Sequence, residues 1–321
     1  MNTIGMSRFK TATIKNFTSD TGIKLRRGVN FLFRAVLRHS TKEKVVVERY
    51  PRLEKKEPYI FVSVHGFVND AVAALSTIDR NAYLLFGTTD TLEHNPIIYA
   101  AWANGFIYVN RKEETSRHTA IDKMERVLSS GSSVLIFAEG GFNNTENLLC
   151  MKLFSSPYLL AKRTGRKVVP VAPFYEFGSK YIYVNVGDPI DLASYDSKEE
   201  ALSFLRNALG SLVFENIEKH STPMRREELS QTPRLDFMRQ RCQEYQKTSW
   251  TRDVWEEELT QYLDKKDREK KAVEESMDDI IITKENAAIM GPILVKRAED
   301  HKYDFKQYMH ENWNKRGEKQ T

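Results

Sequence analysis

Between residues 59 and 219 the sequence alternates short apolar runs with stretches of helical periodicity, and this alternation constrains the fold more than any other feature. Runs of strand length that are rich in β-branched and aromatic residues occupy 59–64, 83–86, 106–109, 133–137, 168–172 and 181–186. Helical segments such as 119–128 and 199–219 lie between or after them. Strands that alternate with helices predict an α/β domain, in which a mixed, mainly parallel sheet is flanked by helices.

An amphipathic segment precedes this domain. We expect a helix over residues 22–39, with about 100° per residue. Its apolar side carries Leu25, Val29, Leu32, Phe33 and Val36. Its basic side carries Lys24, Arg27, Arg34 and Arg38. Two interpretations stay open. The apolar side could enter a bilayer while the cations meet lipid phosphates, or the helix could pack on the protein body with a solvated basic side.

The charge of the chain is unevenly distributed. The first 60 residues carry 14 Lys and Arg against five Asp and Glu, whereas the whole chain has a net charge of only +5. A basic leading segment indicates an anionic partner surface, either phospholipid or nucleic acid. Because no aromatic-interleaved basic surface or nucleic-acid-binding module is recognisable, we expect an anionic membrane surface and no nucleic acid.

The composition also suggests boundaries and a compartment. We expect a basic amphipathic segment at 1–45, the α/β domain at 46–220 and a charged helical extension at 221–321. The beginning of the chain has no secretory signal pattern, and no run approaches the roughly 18 apolar residues that span a bilayer. We therefore expect a cytoplasmic protein, peripheral on the inner face of the membrane. The two cysteines have no paired spacing, so we expect neither a disulfide framework nor a zinc site.

The first chemical motif is FVSVHGFVND, in which His65 follows an apolar strand and Asp70 opens a helix. In open α/β sheets, ligands bind at the carboxyl ends of the strands. A carboxylate five residues later can accept a hydrogen bond from the imidazole Nδ1, which leaves Nε2 to act as a general base. Alternatively, Asp70 only caps its helix and His65 is an ordinary loop residue.

Two further motifs also end strands. The strand in GFIYVNR ends at Arg111, whose guanidinium can bind phosphate oxygens. The simpler interpretation is a surface arginine at a strand end. SSVLIFAEGGFN runs from a strand into Glu139 and Gly140, which offer a polar side chain and backbone N–H groups that a ligand can approach closely, or else form a tight exposed turn. A fourth segment, KVVPVAP, is a short strand in which Pro170 suits an edge or a pocket wall.

These four blocks, in this order, resemble the glycerophosphate and lysophospholipid acyltransferase family. The family pattern is Asn-His-x4-Asp, then Gly-x-Ile-Phe-Ile-x-Arg, then Phe-Pro-Glu-Gly-Thr-Arg-Ser, then a Val-Pro-Val strand. The matching residues are His65, Asp70, Gly105, Ile107, Val109, Arg111, Phe137, Glu139 and Gly140. The sequence departs from the pattern at Val64, Ala138, Gly141, Phe142 and Asn143. Phe142 stands where the family has an arginine that is thought to hold the acceptor phosphate.

The resemblance implies a function and a site. It implies transfer of a fatty acyl group from acyl-CoA or acyl carrier protein to a hydroxyl of a lysophospholipid or related glycerol-phosphate lipid. His65 and Asp70 would be catalytic, while Arg111, Glu139, Gly140 and Lys152 would bind substrate, Lys152 because the family often places a lysine there. No metal, cofactor or acyl-enzyme is implied. The altered third block keeps two alternatives open, namely a catalytically silent membrane-binding relative and a transferase with a non-phosphate acceptor.

Overall fold

The computed structural model describes residues 18–38, 41, 43–67, 69–87, 105–110, 113–143, 148–176 and 179–222, together with the isolated residues 236, 239, 260, 263 and 264. The chain divides into two compact units, 1–259 and 260–321, and all the elements below belong to the first. The extension predicted at 221–321 lies outside the described residues except for residues 221 and 222 and the isolated ones.

The helices and strands of the first unit alternate as the sequence pattern predicts. In chain order they are α1 (Asp20–Arg38), β1 (Lys44–Arg49), β2 (Ile60–Ser63), α2 (Asp70–Thr77), β3 (Ala82–Gly87), β4 (Phe106–Val109), α3 (Glu114–Ser129), β5 (Ser133–Ile136), α4 (Ser156–Thr164), β6 (Val168–Phe174), β7 (Tyr181–Val186), a 3-10 turn (Leu192–Ser194) and α5 (Lys198–His220). The six predicted strands are confirmed within one to two residues at each end, and β1 is an additional strand.

The strands form one seven-stranded sheet in the order β1-β7-β6-β2-β5-β3-β4. Neighbouring strands are parallel except β6 and β7, which confirms the mixed, mainly parallel sheet. β2 and β5 are buried at every position, as expected for central strands covered by helices on both faces. Because β2 and β5 are parallel neighbours, the loops that follow them leave the sheet at the same edge.

The proline-containing strand β6 is an interior strand, between β7 and β2. Of the two positions considered for Pro170, an edge is therefore wrong. On the side of β6 that faces β7, antiparallel pairing begins only at Val171, and before it that side has a single bridge, from Val168 to Ile190. Pro170 lies between these two pairings and accepts a hydrogen bond from the N–H of Gly187. The interior strand thus places its proline where the ladder is already interrupted.

Helix α1 contacts the protein body through Arg26 and Arg27. Arg26 donates to the Tyr83 hydroxyl at 3.2 Å, and Arg27 donates to the Ser130 carbonyl and to the Ser132 hydroxyl. From the other side, Arg126 donates to the Thr18 carbonyl and forms an ion pair with Asp20 at 2.8 Å. One of the two interpretations above was that the helix packs on the body and leaves its basic side in solvent. The helix does contact the body, but the orientation in that interpretation is wrong.

The opposite side of α1 is apolar and exposed. Among the described residues, large exposed hydrophobic side chains are concentrated on this helix: Leu25 at 67%, Val29 at 44%, Phe31 at 67%, Leu32 at 56% and Val36 at 66% of their surface. Phe33, which the sequence pattern placed on this side, is only partly exposed. Water-exposed apolar surface of this kind marks an interaction site more often than an isolated exposed leucine does.

Candidate active site

The centre of the site is a contact between an imidazole and a buried carboxylate. His65 lies two residues beyond β2, and Asp70 is the first residue of α2. The His65 Nδ1 lies 2.9 Å from Oδ2 and 3.1 Å from Oδ1 of Asp70. The Asp70 side chain is fully buried, and the imidazole retains 18% of its surface. Asp70 therefore orients the ring through Nδ1, and Nε2 is the nitrogen turned away from the carboxylate.

The Asp70 carboxylate organises its own loop as well. Its Oδ2 accepts hydrogen bonds from the N–H groups of Gly66 at 2.8 Å and Phe67 at 3.2 Å. The N-cap of α2 is Asn69, whose side chain makes no capping bond. Asp70 thus folds back onto the loop that carries His65, and simple capping of α2 does not describe its contacts.

Glu139 is a second buried carboxylate, three residues beyond β5. Its Oε1 accepts the His65 N–H at 2.9 Å, and its Oε2 accepts the Met151 N–H at 2.7 Å. Burial raises the pKa of Glu139, while the two backbone hydrogen bonds and the nearby imidazole act in the opposite direction. The structure therefore brings Glu139 together with His65 through the main chain of His65.

Two aromatic rings flank the imidazole, and sequence reasoning gave neither of them a role. The centroid of the His65 ring lies 4.3 Å from that of Phe137 and 3.9 Å from that of Phe142. The only signal for Phe142 was its place in the third block, where the family pattern has an arginine. Because phenylalanine stands there, the imidazole has an apolar ring beside it instead of a cation.

Comparison with known proteins matches this region to a family. A model of the family described as "Acyltransferase" matches residues 44–173, which include the His65 loop and the Glu139 loop. The matched segment, residues 44–173, is an acyltransferase domain. The chain is also similar to a solved structure, the 1-acyl-sn-glycerophosphate (LPA) acyltransferase PlsC from Thermotoga maritima. The two are 16% identical, with a TM-score of 0.47 over 63% of this chain and 81% of that one. Comparison with the curated proteins gives no match.

The glycine that follows Glu139 in this acyltransferase has a positive φ of 72°, which favours glycine. A Cβ at Gly140 would lie 2.3 Å from the Phe154 ring, so a side chain there would displace that ring. The N–H of Gly140 donates to the Phe137 carbonyl at 3.0 Å, and the N–H of Gly66 donates to Asp70. These two N–H groups are therefore engaged within the protein.

The structure describes one of the two cations that were predicted for the site. Arg111 lies outside the described residues, two positions beyond the end of β4. Lys152 is exposed. A backbone hydrogen bond and Lys198 lower the pKa of Glu199, and Lys152 contributes to this lowering. The structure brings together His65, Asp70, Glu139 and Gly140.

Proposed function

We propose that this acyltransferase moves a fatty acyl group from a thioester, acyl-CoA or acyl carrier protein, to a hydroxyl of a lysophospholipid or related glycerol-phosphate lipid. The observation that carries the proposal is the contact between His65 Nδ1 and the buried Asp70 carboxylate, at the carboxyl end of β2. Strand ends of this kind bind ligands in open α/β sheets. The match of residues 44–173 to the acyltransferase family supports the reaction class.

The dyad suits direct transfer. The His65 Nε2 takes the proton of the acceptor hydroxyl as its oxygen attacks the thioester carbonyl, and such general-base help contributes about 10²- to 10⁴-fold. The tetrahedral intermediate then expels the thiolate, which receives that proton from the imidazolium. Asp70 holds the ring in the required tautomer and stabilises its positive form. Since the imidazole activates the acceptor itself, the mechanism needs no acyl-enzyme.

One observation favours a second candidate acceptor. Phe142 packs against the imidazole at the position where the family pattern has a phosphate-binding arginine. An apolar wall there suits an acceptor whose hydroxyl lies next to uncharged groups, such as a monoacylglycerol. Purified protein should therefore be assayed for thiol release with matched lysophosphatidate and monoacylglycerol acceptors, and the acylated product identified by mass spectrometry. Release that does not depend on any acceptor would contradict both candidates.

We also propose that α1 attaches the enzyme peripherally to the inner face of the membrane. Within the described ranges, no helix combines the length and apolar content that crossing a bilayer requires. The exposed apolar side of α1 has the composition of an interfacial helix, and it points away from the body. Because Arg26 and Arg27 are bonded to the body, insertion of apolar side chains should contribute more to binding than attraction to anionic lipid does.

A further inference from the structure

Glu139 has contacts that differ from those of a substrate ligand. Glu139 is buried and exposes only 5% of its surface. Each of its two carboxylate oxygens accepts a backbone N–H, one from His65 and one from Met151. Hydrogen bonds to a charged acceptor are among the stronger ones in proteins. Both oxygens are thus committed to the main chain of two separate segments.

The two segments that Glu139 joins meet at the catalytic base. The main chain of His65 is held from both sides, because Glu139 accepts its N–H and the N–H of Asn143 donates to its carbonyl oxygen. The segment around Met151 runs beside the Glu139 loop, since the Phe154 N–H donates to the Ala138 carbonyl at 2.8 Å. Glu139 therefore links the β2 loop, the β5 loop and the segment that leads into α4.

We infer that Glu139 is a positioning residue, which fixes the main chain of His65 so that Nε2 faces the reacting hydroxyl, and that it does not bind the acceptor. This inference rests on the proposed function. Asp70 sets the orientation of the His65 ring, and Glu139 sets the position of the His65 main chain. Misplacement of a catalytic group by about 1 Å can lower a rate by about 10²-fold. The rate of the chemical step, and not acceptor affinity, should therefore depend on Glu139.

The test is a comparison of Glu139→Gln with wild type. Glutamine is nearly isosteric, but its amide nitrogen has no acceptor lone pair, so either His65 or Met151 loses its partner. We expect kcat to fall about 10- to 100-fold while the acceptor KM stays within about twofold. Asp191→Asn is a matched control, because Asp191 also accepts a backbone N–H, from Ala193 at 3.0 Å. That residue lies at the amino end of β6, and its variant should keep wild-type kinetics.

Two outcomes would overturn the inference. A rise in acceptor KM with kcat preserved would make Glu139 a substrate ligand, and unchanged kinetics would remove it from the site. Should Glu139→Gln fail to fold, amide hydrogen exchange on the wild type decides instead. The His65 and Met151 amides lie outside the strands, yet both should be protected from exchange by their hydrogen bonds to Glu139. Exchange at the rate of open loops would contradict the positioning role of Glu139. If wild type transfers to no acceptor, the proposed function fails and the exchange result still stands.

Discussion

The loops that hold the proposed catalytic residues and helix α1 use charged side chains in opposite ways. At the carboxyl ends of β2 and β5, the carboxylates of Asp70 and Glu139 are buried and each accepts two backbone N–H groups. On α1, Arg26 and Arg27 point inward to hydroxyl and carbonyl groups on the surface of the body. In the first region charge fixes His65, the proposed base. In the second, charge fixes a helix so that its apolar side is presented outward.

This difference shows that an amphipathic pattern does not say which side faces the protein. A helix usually turns its apolar side to the core. Among the α1 residues whose burial is described, only Ile23 is fully buried, and the exposed side is the one that carries Leu25 and Leu32. Removing charge from the loops that hold His65 should therefore abolish acyl transfer, whereas removing charge from α1 should only loosen a docked helix.

The largest effect should follow loss of the base. His65→Ala should lower kcat/KM by about 10²- to 10⁴-fold with the fold intact, since the imidazole is partly exposed. Asp70→Asn should also lower turnover strongly because the ring loses its orienting carboxylate. Thiol release with a proven acceptor measures both, with circular dichroism as the check on folding. Wild-type rates for His65→Ala would contradict the proposed mechanism with His65 and Asp70.

The aromatic wall should control the choice between acceptor and water. Phe142→Ala opens the side of the imidazole that Phe142 covers, so we expect acceptor-independent thioester hydrolysis to rise about 10-fold relative to transfer, a change of about 1.4 kcal/mol in relative barriers. The ratio is measured as thiol released against acylated product formed. Phe142→Leu keeps an apolar side chain there and serves as the control. An unchanged ratio in Phe142→Ala would mean that water is excluded by other groups.

Breaking the apolar side of α1 should reduce membrane binding without touching the chemistry. Leu25→Asp combined with Leu32→Asp should lower vesicle co-sedimentation several-fold, because burying a leucine contributes about 1.5 to 3 kcal/mol. Binding of the wild type should weaken but not vanish as salt rises. Phe204→Asp with Phe214→Asp places the same charges on exposed positions of α5 and should sediment like wild type. If both pairs sediment equally, membrane access uses another surface.

The smallest effect should come from a cation of α1. Arg27→Ala removes the bonds to the Ser130 carbonyl and the Ser132 hydroxyl, and at this exposed site we expect a loss of about 1 kcal/mol of unfolding free energy. The corresponding drop in Tm is about 2–4 °C, measured by calorimetry. Lys24→Ala, at an exposed position on the same helix, is the comparison variant. An equal drop in both would show that charge in general, and not the docking contact, stabilises α1.

Much of the fold was predictable because its central strands are buried on both faces. Central strands such as β2 and β5 read as continuous apolar runs, and β4 and β7 were predicted with the bounds that the structure shows. β1 was not predicted. Its sequence, KVVVER, places three valines between charged residues, and only its pairing with β7 makes it a strand. The predicted boundary between residues 45 and 46 falls inside this strand.

The site was predictable only where one segment contains both partners. His65 and Asp70 share a single loop, so their spacing alone indicated a contact. The partners of Glu139 lie 74 and 12 positions away, and they are main-chain groups, which no residue type reveals. For the same reason the sequence could suggest a polar role for Glu139 but not what it binds. Phe142 was visible as a departure from the family pattern, while its packing on the imidazole depends on how the Glu139 loop turns.

The pairing of β1 with β7 has a consequence for how the chain folds during synthesis. Lys44 pairs with Tyr181, and Arg49 reaches Asp188, 139 positions later in the sequence. While the ribosome is still adding the residues in between, β1 cannot join its sheet neighbour, because β7 is the last strand to be made among the described residues. Contacts of such high sequence separation slow folding. A nascent chain released before residue 181 would therefore present a free valine-rich strand, and chaperone binding should be concentrated there.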